Sequence, residues 1–541
     1  MLPRGSALAP FKTIAFRNLW SATLVSNLGG LVQTVGAGWL MVSITNSHSM
    51  VGLVQSATTL PIMIFSLMAG ALADNFNRRQ IMITAQSLMM LVSILLAFLT
   101  FMDWITPWML IGFTFLIGCG GALYNPPWQA TVGDIVPRND IPAAVTLNSV
   151  GFNLMRSVGP AIGGLIVAAW GGAAAFIFNA FSYIPLIGAL FFWKPVYQKP
   201  ALPRERLVGA MSDGLRYVLM SPHLINIMVR SFMFGIGAIS ILALLPIIAK
   251  NMLNGNALSY GSMLGFFGIG AIIAGIFNSR IRAHFRSESI VKFAFIGFAF
   301  SCICLSLSTS LIISHIVLLP AGMCWVLALS LFNISVQLST PRWVVARALA
   351  LYQTASFGGM AVGSWLWGNI ADHYGTTIAL ITCGLFLLLG AIAGFRFAIH
   401  EIGDIDLAPS NLFREPELRL DLKARSGPIM IMIDYNISEE NEEAFLSAME
   451  ERRRIRLRDG ARHWTLMRDL ENPELWTESY HMPTWVDYLR HNQRRIKSDV
   501  EIIEVLSTLN KNGERPKVHR MIERQAVPPA HELHIKPPPD V

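Results

Sequence analysis

The chain has 541 residues, of which 53% are hydrophobic and only 14% charged. Soluble domains carry about 25% charged residues, so the composition excludes a protein built chiefly for water. The net +8 is a composite: residues 1–396 hold 21 Lys and Arg against 8 Asp and Glu, and residues 397–541 hold 21 against 26. That split excludes reading the surplus as a nucleic-acid-binding signal and predicts two physically different bodies.

The first twelve residues are short and mixed, unlike a cleaved leader. A hydrocarbon core about 30 Å thick needs about 20 mainly apolar residues per helix. Windows of that kind fall near 17–43, 50–73, 80–101, 107–128, 144–169 and 172–193, then near 224–249, 258–280, 289–308, 311–335, 345–370 and 376–398. With the N-terminus placed inside, the successive inner segments carry three, two, one, five, four and two Lys or Arg, and the outer loops carry Lys250 alone. This asymmetry predicts that both termini are cytoplasmic. The five cysteines lie in apolar stretches without metal-ligand spacing, so no metal is expected.

The two sets of windows read as copies. A shift of 204 residues lays Pro137-Arg138 on Pro341-Arg342, Leu147 on Leu351, Gly159 on Gly363 and Gly164 on Gly368. Parallel six-helix repeats with a site between the halves are a known transporter plan, although glycine-rich helices also match by chance. The expected fold class is an all-α polytopic membrane protein of twelve transmembrane helices, followed by a cytoplasmic α+β domain. Its expected boundaries are 1–193 and 224–398 for the two bundles, 194–223 for the loop connecting them, 399–427 for a linker, 428–508 for the small domain and 509–541 for a disordered tail.

Between the second and third windows stands Gly70-Ala-Leu-Ala-Asp74-Asn-Phe-Asn77-Arg78-Arg79, and the fifth carries Gly159-Pro160-Ala-Ile-Gly163-Gly164. Further along run Asn125-Pro-Pro-Trp128-Gln129, Val136-Pro137-Arg138, Leu147-Asn148-Ser149 and Asn153-Leu-Met-Arg156. The first element resembles the signature loop of the major facilitator superfamily, with Asn77 in place of a glycine that a tight turn would hold at positive φ. The second resembles an element of that superfamily's exporters, where proline frees a carbonyl and glycines permit close helix approach. Together they resemble the enterobactin-exporter-like branch, the transmembrane secretion effectors. The resemblance implies alternating access in a bacterial inner membrane and export of a small molecule, commonly a siderophore or a drug, with protons as a coupling ion. It implies no cofactor and does not identify the substrate.

Asp74 and Arg78 are four apart, as are Asp134 and Arg138, spacings that pair charges if the loop ends are helical. With Gly70 and Arg79 they form a candidate gating cluster that latches the halves on the cytoplasmic side. Ordinary inside anchoring would account for the arginines but gives no reason for the carboxylates. All eight carboxylates of residues 1–396 fall in loops or at window ends, whereas Arg156 and Arg230 fall inside windows. A charge there costs roughly 2.5–3.5 kcal/mol unless it faces a wet cavity. Snorkelling remains open for Arg230, nearer the cytoplasmic end. A cavity with arginines and no carboxylate favours anionic or chelating substrates and lacks an obvious proton carrier. Asn27, Gln33, Tyr124, Asn153, Asn333 and Gln353 are candidates for its wall, each equally able to bridge helices.

After the polar linker, Ile429–Ile437 reads as a strand and Ser438–Arg458 as a helix with acids first and arginines last. His463–Asp469 and Leu475–Met482 read as strands, Thr484–Lys497 as a helix and Val500–Leu506 as a final strand. That order is ferredoxin-like and resembles the dimeric monooxygenase-like domain found after such exporters, which implies self-association. Trp485 and His491 are about 240° apart round a helix, so an aromatic core with solvent-facing histidines is expected rather than catalysis. The functional reading is a secondary active exporter of small, siderophore- or drug-like, anionic or chelating molecules by alternating access. The alternatives are a membrane-anchored sensor or oxidoreductase working through the tail, and an importer of the same fold.

Overall fold

The computed structural model describes residues 8–137, 140–194, 207–341, 343–399, 410, 413, 415–423, 425–494, 496, 498–511 and 516–523. Two compact units divide the chain: residues 1–207, 223–336 and 346–401 form the first, and residues 208–222, 337–345 and 402–541 the second.

The first unit is helical. Its elements are α1 (Ile14–Ile44), α2 (His48–Asn75), α3 (Arg78–Phe101), α4 (Pro107–Ile135), α5 (Ile141–Phe192), α7 (Pro222–Ile247), α8 (Ala257–His284), α9 (Ser287–Ser306), α10 (Leu311–Leu338), α11 (Val345–Tyr374) and α12 (Thr376–Ala393). Among the described residues, nine stretches are long and apolar enough to cross a membrane. One of them, Ala143–Phe192, runs for 50 residues, more than twice what one crossing needs. Gly171, at φ 80°, breaks it in two. That left-handed conformation is one that side chains other than glycine adopt at a cost. Large apolar side chains such as Phe181, Phe191, Phe192, Phe293, Phe300 and Leu389 face outward. Such a surface is stable in lipid and a liability in water.

Helix ends follow local chemistry. Thr106 accepts from the Met109 amide at 3.3 Å with Pro107 as the first helical residue of α4. Asn77 has φ −67°, not the positive φ expected of the signature turn; its side chain caps α3 by accepting from the Arg79 and Gln80 amides. The reason is chemical: an asparagine side chain satisfies orphan helix donors, which a glycine cannot do.

The second unit contains α6 (Leu207–Leu219, all but its first residue), α13 (Glu442–Arg458), α14 (Trp485–Gln493), α15 (Ser498–Leu509) and strands β1 (Ile429–Asn436), β2 (Arg462–Arg468), β3 (Leu475–Met482) and β4 (Lys517–Ile522). The sheet is antiparallel in the order β2-β3-β1-β4. Ile429, Ile431, Ile433 and Tyr435 alternate inward and pack with Phe445, Met449, Trp476, Tyr480, Trp485 and Tyr488.

Two expectations fail here. Val500–Leu506 lies in a helix, because Ile502, Leu506 and Leu509 recur at helical spacing against the core. The final strand is β4, inside the segment expected to be disordered; its side chains other than Ile522 are exposed, so no alternation marks it. The 399–427 segment is not merely a spacer either, since Phe413, Leu418 and Leu422 pack against the same core. Two distant connections join this unit. Arg494 pairs with Asp213 of α6 at 3.1 Å and stacks 4.0 Å from the ring of Trp343. Arg458 lies 5.3 Å from the ring of Tyr217.

Candidate functional site

The halves of the helical unit meet along two seams built from small residues. On the first, a Cβ at Gly164 of α5 would stand 2.9 Å from the Ala257 carbonyl and 3.0 Å from the Gly261 Cα of α8. One at Gly268 would stand 2.7 Å from the Ser157 Cα. Gly159 and Gly163 instead receive Leu31, Val32 and Val35 of α1, and a Cβ at Gly261 would stand 2.6 Å from the Pro160 carbonyl. The second seam joins α2 to α11. A Cβ at Gly368 would stand 2.9 Å from the Ser49 Cα. Ser56 bonds Ser364 at 2.8 Å, and Ser66 bonds Thr354 at 2.9 Å. Close backbone approach with hydroxyl bridges is how helices associate where lipid offers no hydrophobic driving force.

Arg156, half-buried on α5, reaches across to the other half. Its guanidinium lies 5.4 Å from the Trp325 ring of α10 and 6.0 Å from the Phe267 ring of α8. It carries no hydrogen bond or ion pair among the described residues, so its donors remain open to a ligand or water. Trp325 and Phe267 escaped sequence reasoning because nothing distinguishes one aromatic in an apolar window from another.

Arg230 behaves otherwise. Its side chain is fully buried, 3.2 Å from Glu288 of α9, bonded to the Gly390 carbonyl of α12 and 4.6 Å from the Phe295 ring. It does not snorkel: Glu288 and that carbonyl hold its two terminal nitrogens inside the second half, while its Nε has no hydrogen-bond partner among the described residues. Gln33 bridges helices: buried, it accepts from Ser93 at 3.0 Å and from Asn179, joining α1, α3 and α5. Tyr124 is buried, its hydroxyl 3.1 Å from that of Thr23 and its ring stacked on Trp128. Asn27, Asn333 and Gln353 are half-buried. The side chain of Asn153 lies outside the description. A cavity of about 840 Å³ between the start of α1 and the end of α5 is lined by Arg17, Asn18, Phe192 and Lys194 among others, and by none of the expected wall residues.

At one end of the bundle, Arg78 pairs with Asp134 at 2.6 Å across α3 and α4. Asp134 thus has a partner on the neighbouring helix, and the four-residue pairing expected with Arg138 falls on a residue outside the described ones. Arg79 donates to the carbonyls of Leu190, at 2.8 Å, and Phe191, at the close of α5, where a cation complements the helix dipole. These ties join first-half helices to one another. The surroundings of Gly70, the side chain of Asp74 and all of Arg138 lie outside the described residues.

The second unit holds a buried charge cluster around Glu478. Tyr435 donates to it at 3.0 Å, Arg456 at 3.1 Å and Trp464 at 3.1 Å, with Arg452 at 3.5 Å. Burial would raise its pKa, but Arg456 and Arg452 outweigh that and hold it down to about 2. His491 is buried rather than solvent-facing, bonded to Arg456 at 2.8 Å and the Asp459 carbonyl at 3.1 Å. His463 is exposed and His481 half-buried. Among the described residues, no group of three or more His, Cys, Asp or Glu side chains is arranged to hold a metal.

Comparison with known proteins places this geometry. The family model described as transmembrane secretion effector matches residues 5–527. The chain is 25% identical over 414 residues to the multidrug efflux pump Tap of Mycolicibacterium fortuitum, covering 72% of this chain and 96% of the pump. It is 23% identical over 290 residues to the staphyloferrin A transporter of Staphylococcus aureus, covering 52% and 72%. The fold is that of a solved bacterial homologue of the human lysosomal transporter Spinster, inward-facing and unoccupied, at a TM-score of 0.60 and 13% identity over 72% of this chain and 97% of that one. The relatives are efflux and siderophore transporters, not enzymes. The chain belongs to the transmembrane secretion effector family of the major facilitator superfamily, a multi-pass membrane transporter of the exporter type.

Proposed function

We propose that the chain exports small anionic or metal-chelating molecules across a bacterial inner membrane by alternating access, with twelve spans, both termini in the cytoplasm and Arg156 at the substrate site. The observation that carries this reading is Arg156 itself: it crosses from one half to the other, rests on Trp325 and Phe267 and has no carboxylate partner among the described residues. A guanidinium offers five donors in a fixed fork that suits carboxylates and similar oxygen-rich groups. Aromatic faces hold it without quenching its charge. Such a site selects against cations.

Arg78, Asp134 and Arg79 brace the cytoplasmic ends of first-half helices, Asp74 and Arg138 belong to the same cluster, and Gly159, Pro160, Gly163 and Gly164 set helix spacing. The tail is a ferredoxin-like module through which two copies associate. Protons drive export without a carboxylate in mid-membrane.

The test is binding on purified protein, comparing carboxylate-bearing chelators with cationic drugs of similar size. Arg156→Gln lowers affinity for the anions by about tenfold, the equivalent of about 1.4 kcal/mol, and Arg156→Lys by less, because it keeps charge and loses only the fork. Unchanged anion binding by Arg156→Gln refutes the reading.

A further inference from the structure

The end of the helical unit away from Arg78 and Asp134 carries a second set of charges. The α1–α2 hairpin turns there through residues 45–47. Asp372, near the end of α11, lays its carboxylate on the first turn of α2. It accepts from the backbone amides of His48 and Ser49, the latter at 2.9 Å, and from the hydroxyls of Ser47, at 2.9 Å, and Ser49. His48 Nδ1 stands 3.0 Å from the Ala371 carbonyl. Beside it, Lys250, just beyond α7, donates at 2.7 Å to the carbonyl of Val42 in the last turn of α1. A carboxylate on a helix N-terminus and an ammonium on a helix C-terminus are the two arrangements that the helix dipole favours. Both charges come from the second half, and both grip one hairpin of the first.

The internal repeat shows that this grip is not a by-product of packing. Shifting by 209 residues lays His48 on Ala257 and Gly52 on Gly261, the residues that α11 and α5 touch through Gly368 and Gly164. At the equivalent of Asp372 on α5 stands Ala168. Helix α8 caps itself: Asn256 accepts from the Ser259 amide at 3.0 Å and Ser259 answers the Asn256 amide at 3.4 Å. In α2 the corresponding Ser47 accepts from the Met50 amide at 3.4 Å with no reciprocal bond from that residue among the described ones, and the His48 and Ser49 amides go to Asp372. One N-terminus is self-sufficient; the other takes acceptors from the opposite half.

We infer that Asp372 and Lys250 form the latch that closes the transporter on its extracytoplasmic side, with the tip of the α1–α2 hairpin as its receiver. The inference rests on the proposed orientation and alternating access. Opening that side strips α2 of its borrowed acceptors and α1 of its cation, so the two residues set the balance between inward-open and outward-open states. They are positioning residues that touch no substrate. In the proposed topology the outer loops hold three charged residues, Asp103, Lys250 and Asp372, and two of them serve this latch.

The experiment uses the full-length protein in lipid nanodiscs with Ser364→Cys as reporter. Ser364 is buried on the α2–α11 seam. Its labelling by a membrane-impermeant maleimide is read against protein without the reporter, which corrects for Cys119, Cys302, Cys304, Cys324 and Cys383. Asp372→Ala raises the labelling rate about tenfold or more, Lys250→Met raises it severalfold, and the double variant exceeds either. Adding Ser47→Asp to Asp372→Ala gives α2 an acceptor of its own without rejoining the halves, so labelling stays fast. If the double change returns labelling to the reference rate, Asp372 is a helix cap and not a latch. Reference-rate labelling in both Asp372→Ala and Lys250→Met also overturns the proposal. Should Asp372→Ala fail to fold, Asp372→Asn and Lys250→Met carry the same test. Labelling needs no substrate, so a chain that transports nothing under assay still reports the latch.

Discussion

Arg230 and Arg456 are the largest fully buried side chains among the described residues, one in each unit. Both meet the same kinds of partner, although the Nε of Arg230 has none among the described residues, whereas that of Arg456 meets Glu478. Arg230 has Glu288 at 3.2 Å, the Gly390 carbonyl and the Phe295 ring at 4.6 Å. Arg456 has Glu478 at 3.1 Å, His491 at 2.8 Å and the Tyr480 ring at 4.4 Å. Carboxylate, second acceptor and aromatic face recur, although one arginine sits among apolar helices and the other in a sheet-and-helix core. Among the described residues Arg156 has the aromatic faces and lacks the other two. A buried guanidinium that a fold has finished with carries acceptors; one left with rings alone is available to a ligand.

The pairs differ in who would be stranded if they were broken, and the largest effect is expected in the second unit. Side-chain exposure is 2% for Arg456 and 0% for Glu478, so removal of either leaves a charge with no water to turn to. Arg456→Ala and Glu478→Ala should each destabilise the unit by about 3–5 kcal/mol, read as lost amide-exchange protection over residues 429–482 in the full chain. Joint replacement of Arg452, Arg456 and Glu478 by Met, Met and Leu should cost far less, since no charge remains unpaired. Acid should act on the same cluster. The Glu478 pKa is depressed in the fold, from 4.5 to about 2, so its contribution is complete above about pH 4.5 and is lost as pH falls towards 2. Protection that is flat across that window would mean that Glu478 does not carry the unit.

In the membrane unit the pair is lopsided. Arg230 is 0% exposed and Glu288 27%. Losing Arg230 leaves a carboxylate that can hydrate, whereas losing Glu288 leaves a cation sealed among helices. Glu288→Gln should therefore lower the melting temperature of detergent-purified protein more than Arg230→Met, the two differing by about 1–2 kcal/mol. Ligand affinity should be unchanged in both. A fall in affinity would return Arg230 to the substrate site.

How much of this was legible in the sequence varied with the range of the physics. Apolar windows and small-residue motifs declare themselves, because span length and close helix approach depend on runs and on single residue types. Gly164 and Gly368 were paired by the internal repeat and do pack at equivalent places on the two seams. Partnership was not legible. Arg156 and Arg230 look alike as lone arginines in apolar windows, and only the fold brings Glu288 to one and Trp325 to the other. Asp372 read as one more loop carboxylate, because the amides that it caps lie 324 and 323 residues away. In the tail, β4 gives no pattern because its side chains other than Ile522 are exposed and its role is backbone pairing with β1. Asn77 was read through a motif that expects glycine, when its own chemistry predicts a cap.

The smallest effect sharpens the contrast between finished and available arginines. Trp325 lies 5.4 Å from the Arg156 guanidinium. A cation over an indole gains about 0.5–2 kcal/mol, more when desolvated. If the ring's role is to hold the fork in place, Trp325→Leu should weaken binding of an anionic chelator by about threefold to tenfold. Trp325→Phe, which keeps a weaker face, should cost less than about threefold. A ring that instead stacked on the substrate would produce similar single-variant losses, so the pair must be read together with Arg156→Gln. When Trp325 acts only through Arg156, removing it from a protein that already lacks the guanidinium changes nothing further, and Arg156→Gln with Trp325→Leu binds as Arg156→Gln alone does. When it acts on the substrate, the two losses multiply. Additive losses in that double-mutant cycle, measured by calorimetry on purified protein, would detach Trp325 from the positioning of Arg156 and make it part of the substrate surface itself.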